Sequence, residues 1–202
     1  MKIVLATSNK GKLSDFKTVL EPLGIQVLLP SEIGINMDMP EETGKTYEEN
    51  AEIKAKAIYD ICGLACVADD SGLEVEALDG APGIYSARYA GEGASDKDKI
   101  DLILNELKGV AADKRKAKFV SCMCCIMSDG QKFFVKAECE GKIALAPRGN
   151  NGFGYCPIFE SELGKTFAEL TDLERSKINH RGKALRKLYL ELESRLKLGD
   201  YK

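Results

Sequence analysis

Ile3-Val4-Leu5-Ala6, followed by Thr7-Ser8-Asn9-Lys10-Gly11-Lys12 and then by apolar residues at Leu13, Phe16, Val19, Leu20 and Leu23, decides the fold class. Four consecutive apolar residues read as a short core strand and the polar hexapeptide as a loop. The five residues that follow have the spacing of one helix face, closed by Gly24. Strand, loop and helix in succession are the unit of an α/β protein. Ile25 to Leu29 reads as the next strand, ended by Pro30, before an acidic loop through Glu41-Glu42-Thr43-Gly44.

The alternation continues outward from there. Thr46 with Glu49 forms a capping box opening a helix whose apolar side includes Tyr47, Ala51, Ile53, Ala57, Ile58 and Ile61, and Gly63 ends it. Leu64-Ala65-Cys66-Val67-Ala68 is a strand running into Asp69-Asp70-Ser71-Gly72, where the apolar run is expected to meet water. Leu73, Val75 and Ala77 alternate with Glu74 and Glu76 as in a half-exposed strand. Ser95 with Asp98 caps a helix carrying Ile100, Ile103, Leu104 and Leu107. Phe119 to Met127 and Lys132 to Glu138 form a hairpin through Ser128-Asp129-Gly130, assigned to a second lobe. Thr171 with Glu174 caps a short helix, and Leu185, Leu188, Leu192 and Leu196 form the stripe of a final one. The expected architecture is α/β, a mixed β-sheet flanked by helices, with two lobes and a central cleft in a single domain over residues 1–202.

Composition narrows the function classes. With 202 residues the chain buries a substantial core without disulfides, and 44% hydrophobic with 30% charged residues argues against long disorder. A net charge of −3 leaves no overall field for duplex nucleic acid or an anionic membrane, although a small anionic substrate can be held by local charge. The first apolar run is too short for a signal peptide or a membrane span, so the expected location is cytoplasmic. Seven cysteines, an odd number lying mostly in apolar stretches, read as reduced thiols. Cys122, Cys124 and Cys125 follow a strand pattern rather than the loop spacing of zinc ligands.

Four stretches can do chemistry. Adjacent carboxylates at Asp69 and Asp70 repel one another, raise each other's pKa and call for a cation, and Glu41, Glu42, Glu48 and Glu49 add to the acidic group. This set reads as a Mg²⁺ site in which Asp70 ligates metal and accepts a proton from water. Thr7-Ser8-Asn9-Lys10-Gly11-Lys12 gathers amides, hydroxyls and two ammoniums at a helix N-terminus, as phosphate prefers, but lacks the Walker spacing. In Gly149-Asn150-Asn151-Gly152-Phe153-Gly154-Tyr155 the glycines leave a ring face open for a planar base; the alternative is that Phe153 or Tyr155 plugs the core. His180-Arg181-Gly182, expected between two helices, holds the single histidine and, with Arg175 and Lys177, forms a basic group able to meet phosphate or a base carbonyl.

These stretches, with Ala68 to Leu73, Ala81-Pro82-Gly83-Ile84-Tyr85-Ser86-Ala87-Arg88-Tyr89 and Ser176 to Gly182 in this order, resemble the inosine and xanthosine triphosphate pyrophosphatases, the Ham1-like family, over nearly the whole chain. The resemblance implies a homodimeric enzyme with an elongated sheet. It would hydrolyse non-standard purine nucleoside triphosphates (ITP, dITP, XTP) to the monophosphate and pyrophosphate with Mg²⁺, clearing them from the nucleotide pool. It further implies that Thr7, Ser8, Asn9, Lys10, Gly11 and Lys12 bind the triphosphate. Glu41 and Asp70 would hold the metal, Asp70 would be the general base and Ser71 would touch substrate. Phe153 would stack on the base beside Gly154 and Tyr155, and His180 and Arg181 would read its 6-oxo edge. Two positions of the implied substrate pocket depart from the family pattern: Cys156 replaces an acid and Arg175 a lysine. Other modified nucleotides, or a non-catalytic nucleotide- or RNA-binding role, are the alternatives. Asp69, Asp70 and Glu41 would repel a polyanion.

Overall fold

Successive residues of the first strand, Lys2–Leu5 (β1), enter two different cores: Ile3 and Leu5 join one, Val4 joins the other together with Ala6. This two-residue alternation across a sheet covered on both faces positions the candidate site. The structure, a computed structural model, describes residues 1–199, with side chains through residue 195. The Leu196 side chain of the expected final stripe lies outside the described residues.

The remaining strands are Gln26–Leu28 (β2), Cys66–Val75 (β3), Lys116–Ile126 (β4), Lys132–Ile143 (β5) and Phe159–Glu160 (β6), in the sheet order β2-β1-β3-β4-β5-β6. β1 runs parallel to β2, with Ile3 opposite Val27, and parallel to β3, with Val4 opposite Cys66; β5 and β6 are antiparallel. The helices among the described residues are Lys10–Leu20 (α1), Tyr47–Cys62 (α2), Asp96–Glu106 (α3), Asp172–Ile178 (α4) and His180–Gly199 (α5). The mixed sheet with helices is the expected α/β class.

The chain divides into two compact units. The first comprises residues 1–70, 121–137 and the segment from Arg181. One of its cores sets Ile3, Leu5, Val67, Met123 and Cys125 against Phe16 and Leu20 of α1 and Leu185, Leu188 and Leu192 of α5; the other sets Val4, Ala6, Cys66, Ala68, Cys124 and Ile126 against Ala51, Ala55 and Ile58 of α2. Cys122, Cys124 and Cys125 are thus sheet residues, as their strand pattern indicates. The second unit comprises residues 71–120 and 138–180, with a core around Leu73, Ile103, Phe119, Phe159 and Phe167.

Several expectations are corrected. Leu64 is exposed and β3 begins only at Cys66, because Gly63 closes α2 in the left-handed region and turns the chain. Ile61 is exposed as well, since the buried face of α2 runs Tyr47, Ala51, Lys54, Ala55, Ile58. β3 does not end at Asp69: it continues through Asp69-Asp70-Ser71-Gly72 to Val75, and both aspartates are buried within it. Ala77 falls in a single 3-10 turn, Glu76–Leu78, rather than in a strand. The tip of the β4–β5 hairpin, Ser121–Ala137, belongs to the first unit, not to the second. His180-Arg181-Gly182 is the first turn of α5 rather than a connector between helices.

Candidate functional site

Because β3 alternates, adjacent carboxylates face opposite sides of the sheet. Asp69 continues the series of Val67 toward α1 and α5, and Asp70 that of Cys66 and Ala68 toward α2. The two acids therefore do not share one cation, as their adjacency in sequence suggested; each has its own surroundings.

Asp69 is fully engaged. Its Oδ2 meets Lys12 Nζ at 3.0 Å and Arg181 Nε at 3.1 Å, and its Oδ1 accepts from Ser121 Oγ at 2.5 Å. Arg181 also reaches Asp15 at 2.7 Å, and Lys12 donates to the Asp69 carbonyl at 2.8 Å. Burial alone would raise the Asp69 pKa, but the Lys12 and Arg181 charges and the Ser121 hydroxyl hold it far below the usual carboxylate range. Burial among cations lowers the Lys12 pKa in turn, with Asp69 opposing the shift.

Asp70 differs. Lys54 Nζ stands between Asp70 Oδ1 at 2.9 Å and Glu42 Oε1 at 2.5 Å, and also donates to the Asp69 carbonyl at 3.0 Å. The buried Oδ2 of Asp70 has no hydrogen-bond partner among the described residues. Burial pushes the Asp70 carboxyl up; the Lys54 ammonium opposes this and the Glu42 carboxylate adds to it. A buried carboxylate with raised proton affinity and one oxygen unengaged is equipped to take a proton or a cation. Glu41 is exposed, and it is the neighbouring Glu42 that shares Lys54 with Asp70. Glu48 pairs with Lys136, and Glu49 accepts from the Lys45 amide at the start of α2.

Thr7 to Lys12 sit just past the carboxyl end of β1, where ligands of open α/β sheets bind. Asn9 caps α1, accepting from the Lys12 amide at 3.0 Å, and its own amide donates to Thr7 Oγ1 at 3.1 Å. The first turn of α1 contains no acid, Ser8 and Lys10 are exposed, and Gly11 is half-buried. Thr7, Ser8, Asn9 and Lys10 line one end of a cavity of about 360 Å³ that Leu29, Met37 and Met39 complete.

In the second unit, Tyr155 fills the core and donates to the Ser86 carbonyl at 2.9 Å, so of the two aromatic residues it is the core plug, while Phe153 is half-buried. Asp96 of α3 accepts from the Gly154 amide at 2.6 Å and pairs with Lys99 at 2.7 Å. Burial opposes it, yet these partners hold the Asp96 carboxyl below its usual range. Gly152 has φ +80°, and a Cβ there would lie 2.9 Å from Cys156 Sγ and 3.1 Å from Arg175 Nη1. Cys156 and Arg175 thus both border the space that a side chain at position 152 would need. Arg175 also pairs with Asp172 at 2.6 Å, Ser71 is half-buried in β3, and His180 stacks on Phe119 with centroids 4.5 Å apart.

The Ham1 family model matches residues 3–190. The chain belongs to the Ham1 family. Ham1 relatives include the dITP/XTP pyrophosphatase of Haemophilus influenzae, 48% identical in an alignment that covers 91% of this chain and 95% of that protein. The dITP/XTP pyrophosphatase of Bacillus subtilis is 45% identical over 95% of this chain and 96% of its own. Among solved structures, the Staphylococcus aureus Ham1 protein superposes with a TM-score of 0.84 at 42% identity, covering 96% of this chain and 100% of that one.

Lys54, Asp15, Ser121 and Asp96 were not singled out from sequence. Lys54 and Asp15 had a readable signal, a charge on the buried stripe of a helix, whereas Ser121 and Asp96 had none because their partners are distant in sequence.

Two outcomes are expected. A depressed folded pKa means that Asp69 contributes its stability above the unfolded carboxyl value of about 3.9 and loses it as pH falls below that toward the folded value. Asp69→Asn should therefore cost about 3 to 5 kcal/mol at neutral pH and flatten the acid limb of stability against pH, as read by urea midpoints. Asp96→Ala should raise the amide exchange rate at Gly154 about tenfold, measured by hydrogen exchange, because it removes a charge-assisted bond of roughly 1.5 to 3 kcal/mol on an exposed loop.

Proposed function

We propose that this chain hydrolyses non-standard purine nucleoside triphosphates, dITP, ITP and XTP, to the nucleoside monophosphate and pyrophosphate. Family membership and the names of its relatives support the reaction class. The observation that supports a catalytic rather than a binding role is Asp70, buried beside Lys54 with an unpartnered oxygen and a raised proton affinity. As general base, Asp70 would accept the proton of the water that attacks phosphorus.

The residues fit a Mg²⁺ ion. Mg²⁺ is usually bound by one or two carboxylates together with substrate phosphates and water. The observation that supports the fit is Asp70 Oδ2, a buried carboxylate oxygen with no hydrogen-bond partner among the described residues. Asp70 Oδ2 with the Glu41-Glu42 pair would hold the ion. When bound, it would neutralise charge on the phosphates. On the triphosphate itself, the exposed Ser8 and Lys10, the free amides of the first turn of α1, Thr7 and Gly11 would supply donors. Lys12 and Asn9 would act mainly by shaping that turn, since Lys12 is tied to Asp69 and Asn9 to the helix cap.

For the base we assign stacking to Phe153, on a loop that Gly154, Tyr155, Cys156 and Arg175 hold in shape, with Ser71 on the substrate. His180 and Arg181 complete the proposal at the 6-oxo edge, where Arg181, with Nε and Nη1 taken by Asp69 and Asp15, would act by fixing the first turn of α5 that carries His180. Donors facing a 6-oxo acceptor discriminate against adenine, whose 6-amino group leaves them unpaired at roughly 1 to 3 kcal/mol each. The enzyme is further proposed to act as a cytoplasmic homodimer with neither nucleic acid nor membrane as partner; no described helix is long and apolar enough to cross a membrane.

Asp70→Asn should lower the rate of pyrophosphate release from dITP by at least about a hundredfold at saturating Mg²⁺ and dITP. Near-normal turnover by that variant removes Asp70 from the mechanism.

A further inference from the structure

Cys62 is the last residue of α2 and Cys66 the first of β3, and the tight turn at Gly63 (φ +63°) brings them together with their sulfurs 3.6 Å apart. The seven cysteines form no disulfide, so this is a dithiol. The Leu64 amide points at Cys62 Sγ at 3.4 Å, a donor placed to stabilise negative charge on that sulfur. Cys62 is half-buried, hence within reach of a small reagent, whereas Cys66 is fully buried.

We propose that Cys62 and Cys66 are a redox-active pair that closes reversibly into an intrachain disulfide by exchange with a low-molecular-weight disulfide. The Cys62 thiolate attacks one sulfur of the small disulfide, forming a mixed disulfide and releasing one thiolate. Cys66 then gives its proton to that thiolate or to solvent and attacks the Cys62 sulfur, and the second small thiol leaves. Two protein thiols are oxidised by two electrons and one small disulfide is reduced to two thiols. A disulfide bond is about 2.05 Å long, so the sulfurs need approach by only about 1.5 Å, within the range of a χ1 adjustment. Accessibility assigns first attack to Cys62, since Cys66 is fully buried, and burial together with the neighbouring Cys62 also raises the Cys66 thiol pKa. The pair joins the far end of the helix that presents Lys54 to the start of the strand that presents Asp70. This inference does not depend on the proposed enzymatic activity.

The test equilibrates the purified chain with mixtures of reduced and oxidised glutathione, traps thiols by alkylation and weighs the tryptic peptide of residues 57–88, which contains both cysteines. The expected product is that peptide lighter by two hydrogens and without alkyl groups, restored by dithiothreitol. Cys66→Ala should instead accumulate a glutathione mixed disulfide on Cys62. Wild-type closure should occur at a roughly tenfold lower oxidised glutathione concentration, because its second step is intramolecular. Wild-type peptide that stays doubly alkylated, or that carries only the mixed disulfide as in Cys66→Ala, overturns the proposal.

Discussion

The two-residue period of β3 is the constraint on which the site depends. A strand places successive side chains on opposite faces, and β3 is covered on both, by α1 and α5 on one side and α2 on the other. Two neighbouring aspartates are thereby given two environments. Asp69 enters a crowd of donors and stays ionised, whereas Asp70 shares the Lys54 ammonium with Glu42 and keeps an oxygen unengaged. Two acids of one residue type thereby acquire different proton affinities by environment.

Burying Asp69, Lys12, Arg181 and Asp15 together is expensive, and replacing such groups with apolar side chains commonly costs little or even stabilises. The physical return here is positional. Arg181 links the start of α5 to α1 and β3, and Lys12 links the N-terminus of α1 to the same aspartate. The Asp69 carbonyl accepts from both Lys12 and Lys54, so a single backbone oxygen sets the reach of the cations on either face. A shift of β3 by one residue would exchange Asp69 and Asp70 between faces and destroy both arrangements.

Much of the fold was legible in the chain. The strand-loop-helix beginning at Ile3, the caps at Ser95 and Thr171 and the β4–β5 hairpin all formed, because their signals lie within a few residues of one another. The course of β3 beyond Asp69 was not, since acids are expected to leave a core and only long-range partners such as Arg181 and Ser121 keep them inside. Cys156 and Arg175 were visible individually; that both border the space beside Gly152 needed three dimensions. Likewise Asp69 and Asp70 looked like a pair in sequence, whereas alternation makes them back-to-back.

The most direct measurement follows the side-chain carboxyl ¹³C resonances of Asp69 and Asp70 by NMR as pH is lowered in the metal-free protein. Opposite-face placement predicts that Asp70 titrates above the ordinary aspartate value of about 3.9 while Asp69 stays ionised well below it. Coincident titration of the two near that value, or the reverse order, would contradict the division of roles.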